Sequence, residues 1–292
     1  MHGRFSSRWS EGATGHEAGC ASQTPVPVIA LHCSGADGGQ WRKLPAVLGP
    51  RYEVFSPNFI GCADIGPWTG ERAFTLADEA QTVIGLIDLL ATPVHLVGHS
   101  YGGGVALKVA SARPSAIASL TLYEPSAFHL LRQIGERGRG ASAEIEALAA
   151  AIGAGIVSGA YQAAAAHFVD YWNGAGAWAT LRPNVREALI RWLPKAPLDF
   201  RALITETTPL ASYSRIACPV HIIRGEYARG PSRLITDVLA RTLPRATLDV
   251  IPGAGHMGPV THATDLNACI SGCIRAATRP HQVTSHTRPV AA

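Results

Sequence analysis

A single stretch, Val94-His95-Leu96-Val97-Gly98-His99-Ser100-Tyr101-Gly102-Gly103-Gly104, decides the fold of this chain. Its apolar first half is typical of a buried strand, and a helical pattern follows, so a sharp turn has Ser100 at its apex. A serine on such a turn crowds the residues two positions before and after it, and Gly98 and Gly102 meet that steric need. The turn would set the Ser100 hydroxyl at a helix N-terminus, where N–H groups and the helix dipole favour a developing negative charge. We therefore identify Ser100 as a candidate nucleophile.

Strand patterns alternate with helical patterns on both sides of this stretch. Short apolar runs that are typical of strands cover residues 26–32, 52–56, 94–98, 117–123, 219–225 and 247–251. Helical repeats cover residues 40–48, 74–91, 105–113, 231–243 and 264–275. Buried strands joined through helices predict an α/β fold, with a mostly parallel sheet and helices on both of its faces.

The alternation stops after Pro125 and resumes near residue 215. Residues 126–214 are rich in alanine and aromatic residues, have helical patterns and show no strand pattern. We therefore predict a core made of residues 25–125 and 215–276, with residues 126–214 inserted as a helical segment. The two ends, residues 1–24 and 277–292, are poor in core-forming residues and are predicted to be disordered tails.

The composition of the 292 residues excludes several classes of protein. An apolar share of 47%, a charged share of 16% and a net charge of +4 are typical of a soluble globular protein. No basic cluster interleaved with aromatic residues predicts a nucleic-acid partner. No apolar run is long enough to span a membrane, and residues 1–24 lack the apolar core of a secretory signal. We expect a cytoplasmic protein, and the sequence does not predict its oligomeric state.

The six cysteines do not form a recognisable metal or redox motif. None of them belongs to a Cys-x-x-Cys pair, and Cys269 and Cys273 lie four residues apart on a predicted helix. A metal site there would need further ligands that the sequence does not supply nearby. We therefore expect free thiols in a reducing compartment, with no metal and no cofactor.

A serine hydroxyl needs a neighbouring base, because it is too weakly acidic to attack a carbonyl unaided at neutral pH. Among the twelve histidines, His256 is the best candidate, since it follows a predicted strand in a glycine-rich turn that leaves its ring free to project. His99 adjoins Ser100, but successive residues of such a turn point apart, so we interpret it as a packing or hydrogen-bonding residue. His32 closes the first strand and is interpreted as a support for the loop that follows.

Three motifs in order give the chain a resemblance to the α/β-hydrolase superfamily over about residues 26–276. They are His32-Cys33-Ser34-Gly35 with downstream Trp41, Gly98-His99-Ser100-Tyr101-Gly102, and Gly253-Ala254-Gly255-His256. The resemblance implies the α/β-hydrolase fold and a lid formed by residues 126–214. It also implies an oxyanion hole, made by the N–H of Tyr101, which follows the nucleophile, and the N–H of Ser34. Cys33 stands where the family usually has glycine.

The acid that would orient His256 is left open by the sequence. The family most often has an aspartate three residues after the glycine that ends the strand at 219–225, and Ala228 occupies that position here. Glu124 ends the strand that follows the nucleophile helix, where some relatives, notably certain haloalkane dehalogenases, keep their acid. Glu226 is one residue after Gly225, at the wrong spacing unless the loop is rebuilt. We expect Glu124 to complete the triad, with Glu226 or no carboxylate as the alternatives.

Haloalkane dehalogenases and epoxide hydrolases attack with an aspartate, so a serine nucleophile excludes their chemistry. The remaining class of reaction is acyl transfer. The aromatic residues Phe168, Tyr171 and Trp172 of the predicted lid could line an acyl pocket, although packing within the lid explains them equally well. The resulting hypothesis is a serine hydrolase that cleaves a small to medium carboxylic ester through an acyl-serine intermediate. The alternatives are a C–C bond (diketone) hydrolase or lactonase on the same fold, and a non-catalytic ligand-binding homologue.

Overall fold

Six parallel strands form one sheet at the centre of the computed structural model, which describes residues 24–278. The strands are β1 (Val26–Leu31), β2 (Tyr52–Phe55), β3 (Val94–His99), β4 (Ile117–Tyr123), β5 (Val220–Gly225) and β6 (Ala246–Ile251). Their order across the sheet is β2-β1-β3-β4-β5-β6, and every neighbouring pair is parallel. The predicted α/β fold, a mostly parallel sheet flanked by helices, is confirmed.

The helices of the described residues connect these strands and cover the sheet. They are α1 (Leu44–Leu48), α2 (Leu76–Leu90), α3 (Tyr101–Ala112), α4 (His129–Gln133), α5 (Glu136–Val157), α6 (Tyr161–Asn173), α7 (Ala177–Thr180), α8 (Pro183–Trp192), α9 (Ala196–Ile204), α10 (Gly230–Thr242), α11 (Gly258–Thr261) and α12 (Ala263–Thr278). The helix predicted over residues 40–48 is instead a 3-10 turn, Gly38–Trp41, followed by α1. Pro45 lies in the first turn of α1, where its missing N–H costs nothing.

The last helix is longer than its sequence pattern predicts. It continues to Thr278, so the predicted tail over 277–292 begins too early by two residues. The Thr278 hydroxyl lies 3.1 Å from His95 Nε2 and accepts a hydrogen bond of 3.2 Å from Tyr52, and these long-range contacts hold the last turn. The rest of that tail and residues 1–23 of the predicted N-terminal tail lie outside the described residues.

Residues 126–214 contain α4 to α9 and two 3-10 turns, and no strand occurs in this fully described segment. Its buried aromatic residues, among them Phe128, Trp172 and Phe200, belong to the same apolar cluster as residues of the sheet and of α2 and α3. The segment therefore packs directly on the core.

No membrane-spanning run is expected from the sequence, but α5, alone among the helices of the described residues, has a length and a mean hydropathy of 1.4 that would suit one. Helices in ordinary protein cores pass the same test, so this observation is weak evidence for a membrane.

The register of the sheet sets which residues meet at its carboxyl edge. Gly98 pairs with Leu122 and His99 pairs with Tyr123, so the residues that follow these two strands, Ser100 and Glu124, start at the same level. The loop after β1 lies on the other side of β3. Since the carboxyl ends of parallel strands form the usual binding edge of an open α/β sheet, this edge is where a site is expected.

Candidate active site

Ser100 occupies the strained turn that the sequence predicts. Its backbone has φ +54° and ψ −116°, a conformation that residues other than glycine rarely adopt. A Cβ atom on Gly98 would lie 2.5 Å from the carbonyl oxygen of Gly102, and one on Gly102 would lie 2.5 Å from that of His32. Both glycines are therefore required sterically for the chain to turn from β3 into α3.

A continuous chain of hydrogen bonds joins Ser100, His256 and Glu124. The distance from Ser100 Oγ to His256 Nε2 is 2.9 Å, and the distance from His256 Nδ1 to Glu124 Oε2 is 2.7 Å. A carboxylate only accepts hydrogen bonds, so the imidazole proton is on Nδ1 and Nε2 accepts the Ser100 hydroxyl proton. All three side chains are buried, with relative exposures of 6%, 4% and 0%. The histidine is in the tautomer that can act as a base.

Glu124, rather than Glu226, is the carboxylate that reaches His256. It follows β4 with a φ of +41°, and its second oxygen accepts a 3.0 Å hydrogen bond from the Gly225 amide. Glu226 instead accepts a 2.8 Å bond from the Gly253 amide on the exposed side of the loop. Ala228, at the family's usual acid position, is buried and offers no oxygen.

Two hydrogen bonds and one stacking contact hold the turn that carries His256. His99 Nε2 donates to the His256 carbonyl oxygen at 2.8 Å, and the Tyr123 hydroxyl donates to the Gly255 carbonyl oxygen at 2.6 Å. Burial lowers the pKa of His99 well below its usual value, so His99 is neutral and acts as a support. The Trp172 ring stacks on the His256 imidazole with a centroid distance of 4.1 Å.

The two residues of the expected oxyanion hole are neighbours of Ser100: Tyr101 follows it in sequence, and Ser34 lines the same small cavity. Within residues 24–278, neither the Tyr101 amide nor the Ser34 amide donates a hydrogen bond to another protein group. The neighbouring Cys33 amide is bound to Gln40 Oε1 at 3.1 Å, which holds the loop after β1. Burial raises the pKa of the Cys33 thiol to about 12, so this cysteine stays protonated and does not compete with Ser100 as a nucleophile.

Ser126 is a site residue that the sequence reasoning missed. Its hydroxyl oxygen lies 3.1 Å from Ser100 Oγ, and its amide donates to the Ser100 carbonyl oxygen at 2.9 Å. Because the Ser100 hydroxyl donates to His256, the Ser126 hydroxyl is the donor in this pair. No sequence signal distinguishes Ser126, since it follows the predicted strand by three residues with no motif.

The space above Ser100 is small, and four of the nine residues that line it are aromatic. A cavity of about 20 Å³ adjoins Ser100. Its other lining residues are Ser34, Ser126, Phe128, Phe168, Trp172, Asp199, Phe200 and Leu203. Of the three aromatic residues named in the sequence analysis, Phe168 and Trp172 line this cavity, whereas Tyr171 is not among its lining residues. The Tyr171 hydroxyl donates to Glu144 at 2.8 Å, and its ring meets the edge of Trp172.

A buried network of charged side chains joins the helical segment to both residues of the expected oxyanion hole. Lys195 Nζ donates to Asp199 and, at 3.0 Å, to Glu79. Glu79 accepts the Tyr101 hydroxyl at 2.8 Å, and Asp199 accepts the Ser34 hydroxyl at 2.7 Å. Burial opposes the charge of Lys195, but attraction to the two carboxylates outweighs it and raises the pKa of Lys195. This network was missed by the sequence reasoning, although Glu79, a charged residue among the apolar positions of α2, is the signal that could have revealed it.

Lys195→Met is expected to lower the free energy of unfolding by about 3–5 kcal/mol, because it leaves two buried carboxylates without a counter-charge. Urea unfolding at neutral pH measures this change. Arg132→Met is the matched control, since it removes an ion pair with Glu146 whose side chains are 54% and 45% exposed. Arg132→Met should lower the free energy of unfolding by less than about 1 kcal/mol. Equal losses in the two variants would contradict the prediction that the buried network stabilises the fold more than the exposed pair.

The sequence profile of a family described as the alpha/beta hydrolase family matches residues 28–268. The chain therefore belongs to the α/β-hydrolase family, as its resemblance predicted. A lipase and an esterase are among the proteins that it resembles.

The length of chain that aligns differs widely from one relative to another. Pimeloyl-(acyl-carrier protein) methyl ester esterase of Chromobacterium violaceum is 27% identical over 249 residues, which cover 82% of this chain and 90% of that protein. Lipase LipV of Mycobacterium tuberculosis is 32% identical over 103 residues, or 35% of this chain, and the match spans only 38% of the lipase. The solved structure of MGS-M2, an α/β-hydrolase enzyme from a Medee basin deep-sea metagenome library, superposes with a TM-score of 0.75. At 15% identity, with 91% and 95% of the two chains covered, this likeness shows the fold.

Proposed function

We propose that this protein is a serine hydrolase that cleaves a small to medium carboxylic ester through an acyl-serine intermediate. The observation that carries the proposal is the buried hydrogen-bond chain from Ser100 through His256 to Glu124. Membership of a family with esterase and lipase relatives is consistent with it. No metal or cofactor takes part in the proposed steps.

The first half of the proposed reaction acylates Ser100. As Ser100 Oγ attacks the ester carbonyl, His256 Nε2 takes the hydroxyl proton, and the carboxylate of Glu124 stabilises the imidazolium that forms. The carbonyl oxygen becomes an oxyanion that accepts hydrogen bonds from the amides of Tyr101 and Ser34. When the tetrahedral intermediate collapses, the ester C–O bond breaks and His256 returns its proton to the departing alcohol.

The second half releases the acid and restores the enzyme. His256 Nε2 takes a proton from a water molecule, whose oxygen attacks the acyl carbonyl and forms a second oxyanion in the same place. The bond to Ser100 Oγ then breaks, and His256 gives the proton back to the serine. The products are a carboxylic acid and the resting enzyme.

We also propose that residues 126–214 act as a cap that sets the choice of substrate. The cavity of about 20 Å³ beside Ser100 has room for roughly one water molecule. An acyl group therefore needs Trp172 and Phe168 to move away from the position they occupy above His256 and Ser100. Five of the nine lining residues, four aromatic residues and Leu203, are apolar, which favours an apolar small molecule over a charged one.

The test combines covalent labelling with a panel of substrates. A fluorophosphonate probe should form one adduct, on Ser100, and p-nitrophenyl esters from acetate to octanoate should be hydrolysed faster than palmitate. Faster turnover of a vinylogous diketone or of a lactone than of these esters would replace the proposal with a C–C hydrolase or a lactonase. Neither an adduct nor turnover of any of these substrates would favour the non-catalytic, ligand-binding homologue.

A further inference from the structure

A second cluster of reactive side chains lies away from Ser100. His221 is at the amino end of β5, and Cys269 and Cys273 lie one turn apart on α12, which packs over this part of the sheet. Their sulfur and ring nitrogen atoms all lie within 4.8 Å of one another. The sequence presents the two cysteines without a third ligand, because His221 is 48 residues or more away along the chain, and only the packing of α12 brings it close.

We propose that His221, Cys269 and Cys273 form a binding site for a single Zn²⁺ ion. Two thiolates and one imidazole are the donors that zinc prefers, and three protein ligands with one further position are a common zinc arrangement. In a tetrahedral site, neighbouring ligand atoms are about 3.5–3.8 Å apart, given metal–ligand bonds of about 2.0–2.3 Å. The cluster therefore needs displacements of only about 1 Å, which side-chain torsions provide. Binding breaks the two S–H bonds and releases the protons to solvent.

The hydrogen bonds of His221 leave the correct nitrogen free for a metal. Its Nε2 lies 2.8 Å from Asp249 Oδ2, and because a carboxylate only accepts, the ring proton is on Nε2. Its Nδ1, which then carries a lone pair, faces Cys273 Sγ. A carboxylate that holds the second nitrogen of a ligating histidine is a common companion of metal sites, because it fixes the tautomer and the ring orientation. Asp249 Oδ2 also lies 4.0 Å from Cys269 Sγ, so it borders the whole cluster.

The surroundings of the cluster allow an ion to enter and a fourth ligand to bind. Both cysteines are half-buried, and a cavity of about 620 Å³ adjoins His221 and Cys273. A water molecule in this cavity can complete the tetrahedral shell. A bound ion would join β5 to α12, so the zinc site would fasten the last helix to the sheet and raise the stability of the folded state.

The experiment titrates the reduced, metal-free, full-length protein with Co²⁺ and then with Zn²⁺. One equivalent of Co²⁺ should produce the strong near-ultraviolet thiolate band and the visible bands of a tetrahedral site, and Zn²⁺ should abolish both. Zn²⁺ should also raise the Tm. Cys269→Ser, Cys273→Ser and His221→Gln should each remove the cobalt spectrum, and Asp249→Asn should weaken Zn²⁺ binding about 10–100-fold. Cys218→Ser is the matched control, because Cys218 is a free cysteine outside the cluster and its variant should bind normally.

A labelling experiment on the unaltered chain keeps the proposal testable if a variant does not fold. Zn²⁺ should protect Cys269 and Cys273 from N-ethylmaleimide, as read by mass spectrometry, whereas a chelator should restore their alkylation. The proposal is overturned if Zn²⁺ gives no protection, or if Cys273→Ser binds Co²⁺ with an unchanged spectrum. Rapid alkylation with no bound metal would instead identify a pair of reactive thiols.

Discussion

Ser100→Ala is expected to lower kcat for a p-nitrophenyl ester by about 10⁶-fold, because the acyl-serine intermediate can no longer form. The remaining rate would come from the two oxyanion amides and from substrate binding alone. The substitution removes only a hydroxyl group and leaves no large cavity, so the variant should fold with a nearly unchanged Tm. Steady-state kinetics on the purified variant, together with loss of the fluorophosphonate adduct, measure the effect.

Ser126→Ala is the control for this prediction, because its hydroxyl lies only 3.1 Å from Ser100 Oγ and could be mistaken for the nucleophile. It removes one neutral hydrogen bond to Ser100, which is worth about 1 kcal/mol, so kcat should fall by no more than about tenfold. An adduct on Ser126, or a larger loss in Ser126→Ala than in Ser100→Ala, would reverse the assignment of the nucleophile.

Glu124→Gln is expected to lower kcat by about 10⁴-fold with little change in KM. The Gln side chain can keep the acceptor for the Gly225 amide only by turning its NH₂ group toward His256 Nδ1. That contact favours a proton on Nε2, which then cannot accept the proton of Ser100. The amide also cannot stabilise the imidazolium of the transition state. Kinetics at saturating ester measure the loss.

Glu226→Gln is the matched control, because it makes the same chemical change at the residue that directly follows β5, where the carboxylate accepts a hydrogen bond from the Gly253 amide. Its kcat should stay within about threefold of the parent, in line with the loss of one exposed hydrogen bond. A ranking in which Glu226→Gln is the more damaging variant would show that the loop rearranges in the working enzyme and that Glu226 is the orienting acid.

Local patterns predicted most of the fold. The β4 strand was predicted with its observed bounds, Ile117–Tyr123. A short apolar run between a proline turn and a polar residue is typical of a buried strand, so both ends could be located from the sequence. The apolar residues of α2 recur at helical spacing, and most of them are buried in the structure. The end of α12 was predicted too early, because Thr278 is held by His95 and Tyr52, which are far away in sequence.

Part of the site could not be predicted from local patterns. The sequence pattern does not indicate that Lys195 and Asp199 are buried beside Glu79, because an oppositely charged pair four residues apart on a helix is usually exposed. The stacking of Trp172 on His256 and the small volume above Ser100 depend on how six helices pack on the sheet. Tyr171 does not line the cavity beside Ser100, because the Tyr171 hydroxyl is hydrogen-bonded to Glu144.

The sequence by itself determined the strand-to-helix turn at Ser100, the parallel sheet around it and the glycine-rich turn at His256. The two turns and the individual strands depend on residues within a few positions of one another, where steric limits on the backbone and the spacing of apolar side chains act directly, and the alternation of strands with helices indicates the parallel sheet. Only the tertiary structure decided that Glu124 rather than Glu226 contacts His256, and that His221 joins Cys269 and Cys273. Those contacts link residues 48 to 132 positions apart, and the register of the strands and the packing of the last helix, rather than any local pattern, bring their side chains together.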